Sequence, residues 1–267
     1  MRVFFVFVVL VVRVLSLEYG LDVKHEGITP IARVQFFAER CSGSNYVEAL
    51  LLQNTHLYQD LAYGWKHFPV WVGFSEGTSD FHTLAHSENC LFVVVFRDPY
   101  DWLRSFHLQP HHSAGSLRKL NFSKFIRASW VMDPKDPCAL AERAKYPLTD
   151  KDPLTGKDFK NPMKLRTAKI QTMLRMKDKV HHIYYIHYEV ARRYPKQMLE
   201  EIAKIFSLPL KENFVDIKEY KGDKSLGLYV PKKYDPISFV DLSYINFELN
   251  RDLEERIGYP LKSPVPF

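Results

Sequence analysis

Two short stretches gather residue types that hold anions: Arg40-Cys41-Ser42-Gly43-Ser44-Asn45, and Arg97-Asp98-Pro99-Tyr100-Asp101-Trp102-Leu103-Arg104-Ser105. In the first, small residues on a turn let backbone N–H groups converge with the positive end of a following helix, an arrangement that binds phosphate or sulfate. In the second, Pro99 can open a helix at its first turn, which puts Ser105 about two turns further on. The guanidinium of Arg97 and the hydroxyl of Ser105 can then grip one phosphate together. Glu39, just before the first stretch, adds a carboxylate able to serve as a base.

Such chemistry requires both stretches to reach the same edge of a sheet. The first follows the apolar run Val34-Gln35-Phe36-Phe37-Ala38 and leads into Tyr46-Val47-Glu48-Ala49-Leu50-Leu51-Leu52, which places it on a strand-to-helix turn. The second follows Leu91-Phe92-Val93-Val94-Val95-Phe96, a continuous apolar run expected of a strand buried on both faces. Arg97 thus emerges at a strand's C-terminal edge, where open α/β sheets bind ligands. Strands are expected over 32–38, 91–96 and 180–186, with 57–67 returning toward the sheet. Helices are expected over 45–53, 99–108, 122–130, 163–176, 195–208 and 241–257, while 18–30 lacks a period and reads as an entry segment. The fold class is therefore α/β, a single domain with a central, mainly parallel sheet flanked by helices.

In this order and strand context the stretches resemble the cofactor motifs of sulfotransferases that use 3′-phosphoadenosine 5′-phosphosulfate, PAPS. The likeness extends through Tyr63-Gly64-Trp65-Lys66-His67-Phe68, Asn161-Pro162-Met163-Lys164-Leu165-Arg166-Thr167-Ala168-Lys169 and Tyr185-Ile186-His187-Tyr188-Glu189, segments similar to sulfotransferases of bacteria, algae and viruses; it covers residues 31–210. The resemblance implies a P-loop-kinase-like sulfotransferase fold over 31–267. It assigns Arg40, Cys41, Ser42, Gly43, Ser44 and Asn45 to the 5′-phosphosulfate, and Arg97 and Ser105 to the 3′-phosphate. It puts Lys66 near the bridging oxygen and makes His67 the base, with Glu39 as its rival. Lys224 and Gly227 lie in a stretch that resembles the basic loop closing over the 3′-phosphate; an ordinary exposed turn explains it equally well. Cys41 stands where better-known cytosolic members have Lys, and Arg40 comes one position earlier, so which cation meets the sulfonate is left open.

The implied reaction moves a sulfonate from PAPS to a hydroxyl or amine, in line and without a metal, and leaves 3′-phosphoadenosine 5′-phosphate, PAP. The acceptor stays open among a glycan, a lipid, a protein tyrosine and a small metabolite. Two rival readings are a phosphotransferase on a related nucleotide-binding fold and a catalytically silent nucleotide-binding protein. Loss of the motif residues would mark the silent one, and they are all present. The Gly-Xaa-Xaa-Xaa-Xaa-Gly-Lys-Ser/Thr loop is absent, which argues against ATP hydrolysis. An ion pair of Arg166 with Glu189 is expected to hold a late helix against a late strand.

A chain of 267 residues, 46% hydrophobic and 14% aromatic, can bury one substantial core. Its net charge of +6 suits an anionic cofactor and an anionic acceptor or membrane surface. Nucleic acid is disfavoured because the basic residues are dispersed and no nucleic-acid-binding signature occurs. Residues 1–16 are a charged start and an apolar run, read as a signal peptide or short membrane anchor with a core strand as the alternative. The first reading implies the secretory pathway or a membrane and makes Asn121-Phe122-Ser123 a glycosylation sequon; the second leaves the chain in the cytoplasm. Cys41, Cys90 and Cys138 fit no zinc spacing, and His111-His112 and His181-His182 read as surface or strand residues. The Pro-, Lys- and Asp-rich segment 133–162 is expected to be a mobile substrate lid or a solvated insertion.

Overall fold

The computed structural model describes residues 17–27, 29–67, 86–133, 135, 150–220 and 223–263. The expected leader over 1–16 and residues 134 and 136–149 of the expected lid lie outside them. In chain order the strands are β1 (Asp22–His25), β2 (Arg33–Ala38), β3 (Tyr58–Gln59), β4 (Cys90–Phe96) and β5 (His182–His187). The helices are α1 (Ser44–Asn54), α2 (Pro99–Leu108), α3 (Phe122–Phe125), α4 (Pro162–Arg175), α5 (Tyr188–Arg193), α6 (Pro195–Phe206), α7 (Phe239–Glu248) and α8 (Arg251–Arg256). The strands form one sheet in the order β1-β5-β4-β2-β3, parallel except for β1. The fold is thus α/β, with a mixed, mostly parallel sheet between helices.

Alternation along the buried strands divides the core. Val34, Phe36, Val93, Val95, Tyr184 and Ile186 face α1 and α6, whereas Phe37, Phe92, Val94, Phe96, Ile183 and Tyr185 face α4 and α8. A third cluster joins α2, α3, α4 and α7 around Trp102, Phe106 and Trp130. Register sets the geometry of everything functional: Ala38 pairs with Val95, and Phe96 with His187. The segments after β2, β4 and β5 consequently leave the sheet side by side at one edge. Residues 57–67 return to that edge through β3 and a bond from the Ala38 N–H to the Lys66 carbonyl, 2.9 Å.

Four expectations need correction. The entry segment contains β1, which pairs antiparallel with β5 and is too short and too evenly half-buried to show a period. The carboxylate of Glu201 anchors its approach, accepting from the Gly20 N–H at 2.8 Å and the Tyr184 hydroxyl at 2.6 Å. The expected helix over 122–130 stops after one turn capped by Asn121, because the chain leaves to pair Trp130 with Phe159. The expected helix over 241–257 is two, since Leu249 is extended and Asn250 caps α8. Arg166 pairs with Glu254 of α8 at 2.6 Å, whereas Glu189 accepts from the Asp98 N–H and the Tyr259 hydroxyl. Among the described residues no helix is long and apolar enough to cross a membrane.

Candidate functional site

At the sheet edge the chain turns through Cys41 (φ 61°) and Gly43 (φ 81°) into α1. Both lie in the left-handed region, and at Gly43 there is a second constraint: a Cβ there would sit 2.1 Å from the Tyr188 ring. Among the described residues no side chain caps α1, so the first-turn N–H groups and the helix dipole are directed at the turn. At α2 the opposite holds. Asp98 accepts from the N–H groups of Tyr100 and Asp101, both at 2.9 Å, so that helix end is already satisfied. Helix α2 instead braces the turn: Trp102 Nε1 donates to the Arg40 carbonyl at 2.8 Å, and Arg97 Nη1 to the Cys41 carbonyl at 2.7 Å.

Above this turn lies a cavity of about 330 Å³, within the range of small-molecule sites. Cys41, Gly43, Ser44, Asn45, Lys66, His67, Arg97 and Ser105 all line it, delivered by the turn after β2, the return segment and α2. The buried Nε of Arg97, which lines the cavity, has no hydrogen-bond partner among the described residues. Unsatisfied buried donors of this kind suit an anionic ligand. Lys66 Nζ lies 2.5 Å from Asn45 Oδ1 and 2.6 Å from Glu48 Oε2, which ties the return segment to α1.

His67 is half-buried, and its Nδ1 sits 3.1 Å from the Ala38 carbonyl. A carbonyl only accepts, so Nδ1 carries the proton and Nε2 keeps its lone pair. Burial, reinforced by Arg40, holds its pKa well below the ordinary imidazole value. His67 is therefore neutral at pH 7, with its basic nitrogen unprotonated.

The other sequence-assigned residues lie elsewhere. Glu39, Arg40 and Ser42 are buried beneath the turn and do not line the cavity; Lys224 and Gly227 are exposed on a turn outside the lining. Arg40 Nη1 pairs with Asp150 at 2.7 Å, and the other oxygen of Asp150 meets Lys169 at 2.6 Å, with all three side chains fully buried. Burial alone would raise the Asp150 pKa, but Arg40 and Lys169 outweigh it and leave the carboxyl below its usual range. Lys169 Nζ also donates to the His67 carbonyl at 2.8 Å. Residues 150–162 are thus anchored under the site by Asp150 and by the bridge from Trp130 to Phe159.

Glu39 sits beside this network, and among the described residues neither carboxylate oxygen is hydrogen-bonded. Burial pushes its pKa up to about 7, against the pull of Lys169 and Arg40. Between its ordinary value of 4.5 and about 7 the folded protein holds a proton that the unfolded chain has released. Its contribution to stability therefore falls as pH rises through that window and levels off above it. Glu39→Gln, which keeps the neutral shape, is expected to remove this slope and to raise stability above pH 7 by about 3 kcal/mol. Urea unfolding at a series of pH values measures it, and an unchanged slope would refute the assignment.

Several lining residues escaped the sequence reading. His112 lies in a loop read as surface, yet its Nδ1 accepts from Arg40 Nε at 3.1 Å and its ring lines the cavity with that of His67. Tyr188 and Arg192, on α5 directly after β5, form an aromatic and cationic wall. The Tyr188 hydroxyl lies 3.1 Å from that of Tyr229, and the Arg192 guanidinium lies 4.5 Å from the Tyr229 ring centre. The only available signal was their place after the third buried strand. No family model and no curated protein matches this sequence.

Proposed function

We propose that the chain is a PAPS-dependent sulfotransferase on a P-loop-kinase-like fold. The observation that carries this reading is the convergence on one cavity of an uncapped helix start at Ser44 and the Arg97 and Ser105 pair, two anion-holding places from separate strand ends. A nucleotide with anions at both its 3′ and 5′ ends matches two such places. Ser44, Asn45 and the turn's N–H groups would hold the 5′-phosphosulfate, and Arg97 and Ser105 the 3′-phosphate. Arg40 acts from beneath, as a charge under the turn.

PAPS supplies the sulfonate: the acceptor oxygen or nitrogen forms a bond to sulfur as the bond from sulfur to the 5′-phosphate oxygen breaks. His67 Nε2 takes the proton that the acceptor loses. Charge growing on the departing phosphate is met by the α1 start and by Lys66, fixed in place by Glu48 and Asn45.

PAP is expected to stabilise the fold by about 2.7 kcal/mol at about 100-fold over its Kd, and 5′-AMP at the same concentration much less. Thermal shift with both ligands tests this, and equal stabilisation would remove the cofactor assignment. In titration calorimetry Arg97→Ala should weaken PAP binding more than Ser105→Ala, because a charge-assisted contact exceeds a neutral one. Normal PAP binding by Arg97→Ala would move the 3′-phosphate site elsewhere.

A further inference from the structure

Of the histidines that line the cavity, His67 and His112 present opposite hydrogen-bonding ends to it. His67 Nδ1 donates to the Ala38 carbonyl, which leaves Nε2 as an acceptor. His112 is the reverse case, because its Nδ1 accepts from Arg40 Nε at 3.1 Å. An arginine N–H only donates, so the lone pair of the His112 ring lies on Nδ1 and its proton on Nε2. Each ring is thus held through Nδ1 by a residue of the stretch 38–40, and Nε2, across the ring, is turned away from that stretch. The two ring centres stand 6.5 Å apart.

The backbone at His112 is held in place against its own preference. Its φ of 64° lies in the left-handed region, which a residue with a side chain of this size rarely adopts. Neighbouring bonds keep it there: the His112 carbonyl accepts from the Asp133 N–H at 2.9 Å, Ser113 Oγ donates to the Pro110 carbonyl at 2.6 Å, and the Ala114 N–H donates to the Val131 carbonyl at 2.9 Å. Strain retained in this way clusters at functional sites.

We propose that His112 is a second contact of the acceptor and that it selects a hydroxyl over an amine, an inference that rests on the sulfotransferase reading. An alcohol or phenol oxygen carries two lone pairs and one hydrogen. One pair forms the bond to sulfur as the bond from sulfur to the 5′-phosphate oxygen breaks, the hydrogen passes as a proton to His67 Nε2, and the second pair accepts from the His112 Nε2–H. Any bond that this N–H makes in the free protein is exchanged for the one to the acceptor. A primary amine carries one lone pair and two hydrogens. When that pair attacks sulfur and one hydrogen faces His67, the other meets the His112 N–H, donor against donor, and both are left without a partner. His67 moves the proton, and His112 holds the oxygen in line.

Transfer from sulfur-labelled PAPS to 4-methylphenol and to 4-methylaniline, compounds of matched shape that are both uncharged at pH 7, tests the proposal. The unaltered protein should favour the phenol. His112→Ala should lower kcat/KM for the phenol about 10–100-fold and change that for the aniline much less, so that the ratio of the two falls. His112→Gln, whose amide N–H can replace the donor, should restore part of the ratio. Loss of the acceptor for Arg40 weakens the fold around the turn, but that effect lowers both rates alike and leaves the ratio unmoved. Nitrogen NMR of the labelled imidazoles gives a readout that needs no acceptor: His67 and His112 are expected in opposite neutral tautomers. A shared tautomer, or binding of PAP with a ratio unchanged in His112→Ala, would overturn the part given to His112 and leave the sulfotransferase reading standing. Opposite tautomers with no binding of PAP would overturn that reading, and the choice of acceptor with it.

Discussion

His67→Ala is expected to lower turnover by about 10²–10⁴-fold while leaving PAP affinity close to that of the unaltered protein. The reason lies in what fixes the ring. The Ala38 carbonyl holds the proton on Nδ1, and burial together with Arg40 keeps the imidazole uncharged. Nε2 is therefore ready to take a proton at neutral pH, and activity should not fall until pH is well below the ordinary imidazole range. Transfer from sulfur-labelled PAPS to a panel of acceptors measures turnover, with calorimetry on PAP as the binding control. Glu39→Gln, folded and binding PAP, is expected to keep its turnover because Glu39 does not line the cavity. If Glu39→Gln loses turnover and His67→Ala retains it, Glu39 is the base and His67 a packing residue.

The second large effect is on stability. Asp150→Ala is expected to cost about 3–5 kcal/mol, because it leaves Arg40 and Lys169 buried without their shared counter-charge. Both cations meet the carboxylate within 2.7 Å, and Trp130 Nε1 adds a third bond at 3.0 Å. That cost is a large part of a typical domain's whole stability. Urea unfolding at pH 7 measures it. Asp150→Asn, which keeps an acceptor for Trp130 and loses the charge, should fall between the two. A loss of under about 1 kcal/mol for Asp150→Ala would mean that the network is not holding the turn.

Much of the scaffold was legible because its signals are local. The continuous apolar run of β4 and the Asp-Pro start of α2 are readable within ten residues, and α6 buries Met198, Leu199, Ile202 and Phe206 at helical spacing. Strand β1 was not legible, since its pairing with β5 rests on backbone contacts with residues far along the chain. Helix α3 failed as a sequence expectation because the burial of Trp130 against Phe106 and Asp150 overrides local propensity. The site divides in the same way. The turn residues and the Arg97 and Ser105 pair follow from position at strand ends. The fate of Arg40 does not: its partner Asp150 lies in a segment that looks solvated, and only the fold brings them together. His112 was hidden for a similar reason, because nothing local marks a loop histidine as the acceptor of a buried arginine.

The braces on Arg97 set a dimension as well as a charge. Its guanidinium holds the Cys41 carbonyl, its own carbonyl accepts from Arg166 Nη2 at 2.9 Å, and Arg166 is clamped by Glu254 of α8. The arginine is thereby spliced between the glycine turn and the last helix, with little slack on either side. Bonds on both sides thus set where Arg97 stands relative to the α1 start. Under the proposed reading, a ligand whose two anionic ends stand closer together or further apart would satisfy one end only, so length itself would become a criterion of selection, set in part from a helix more than 200 residues downstream of the turn.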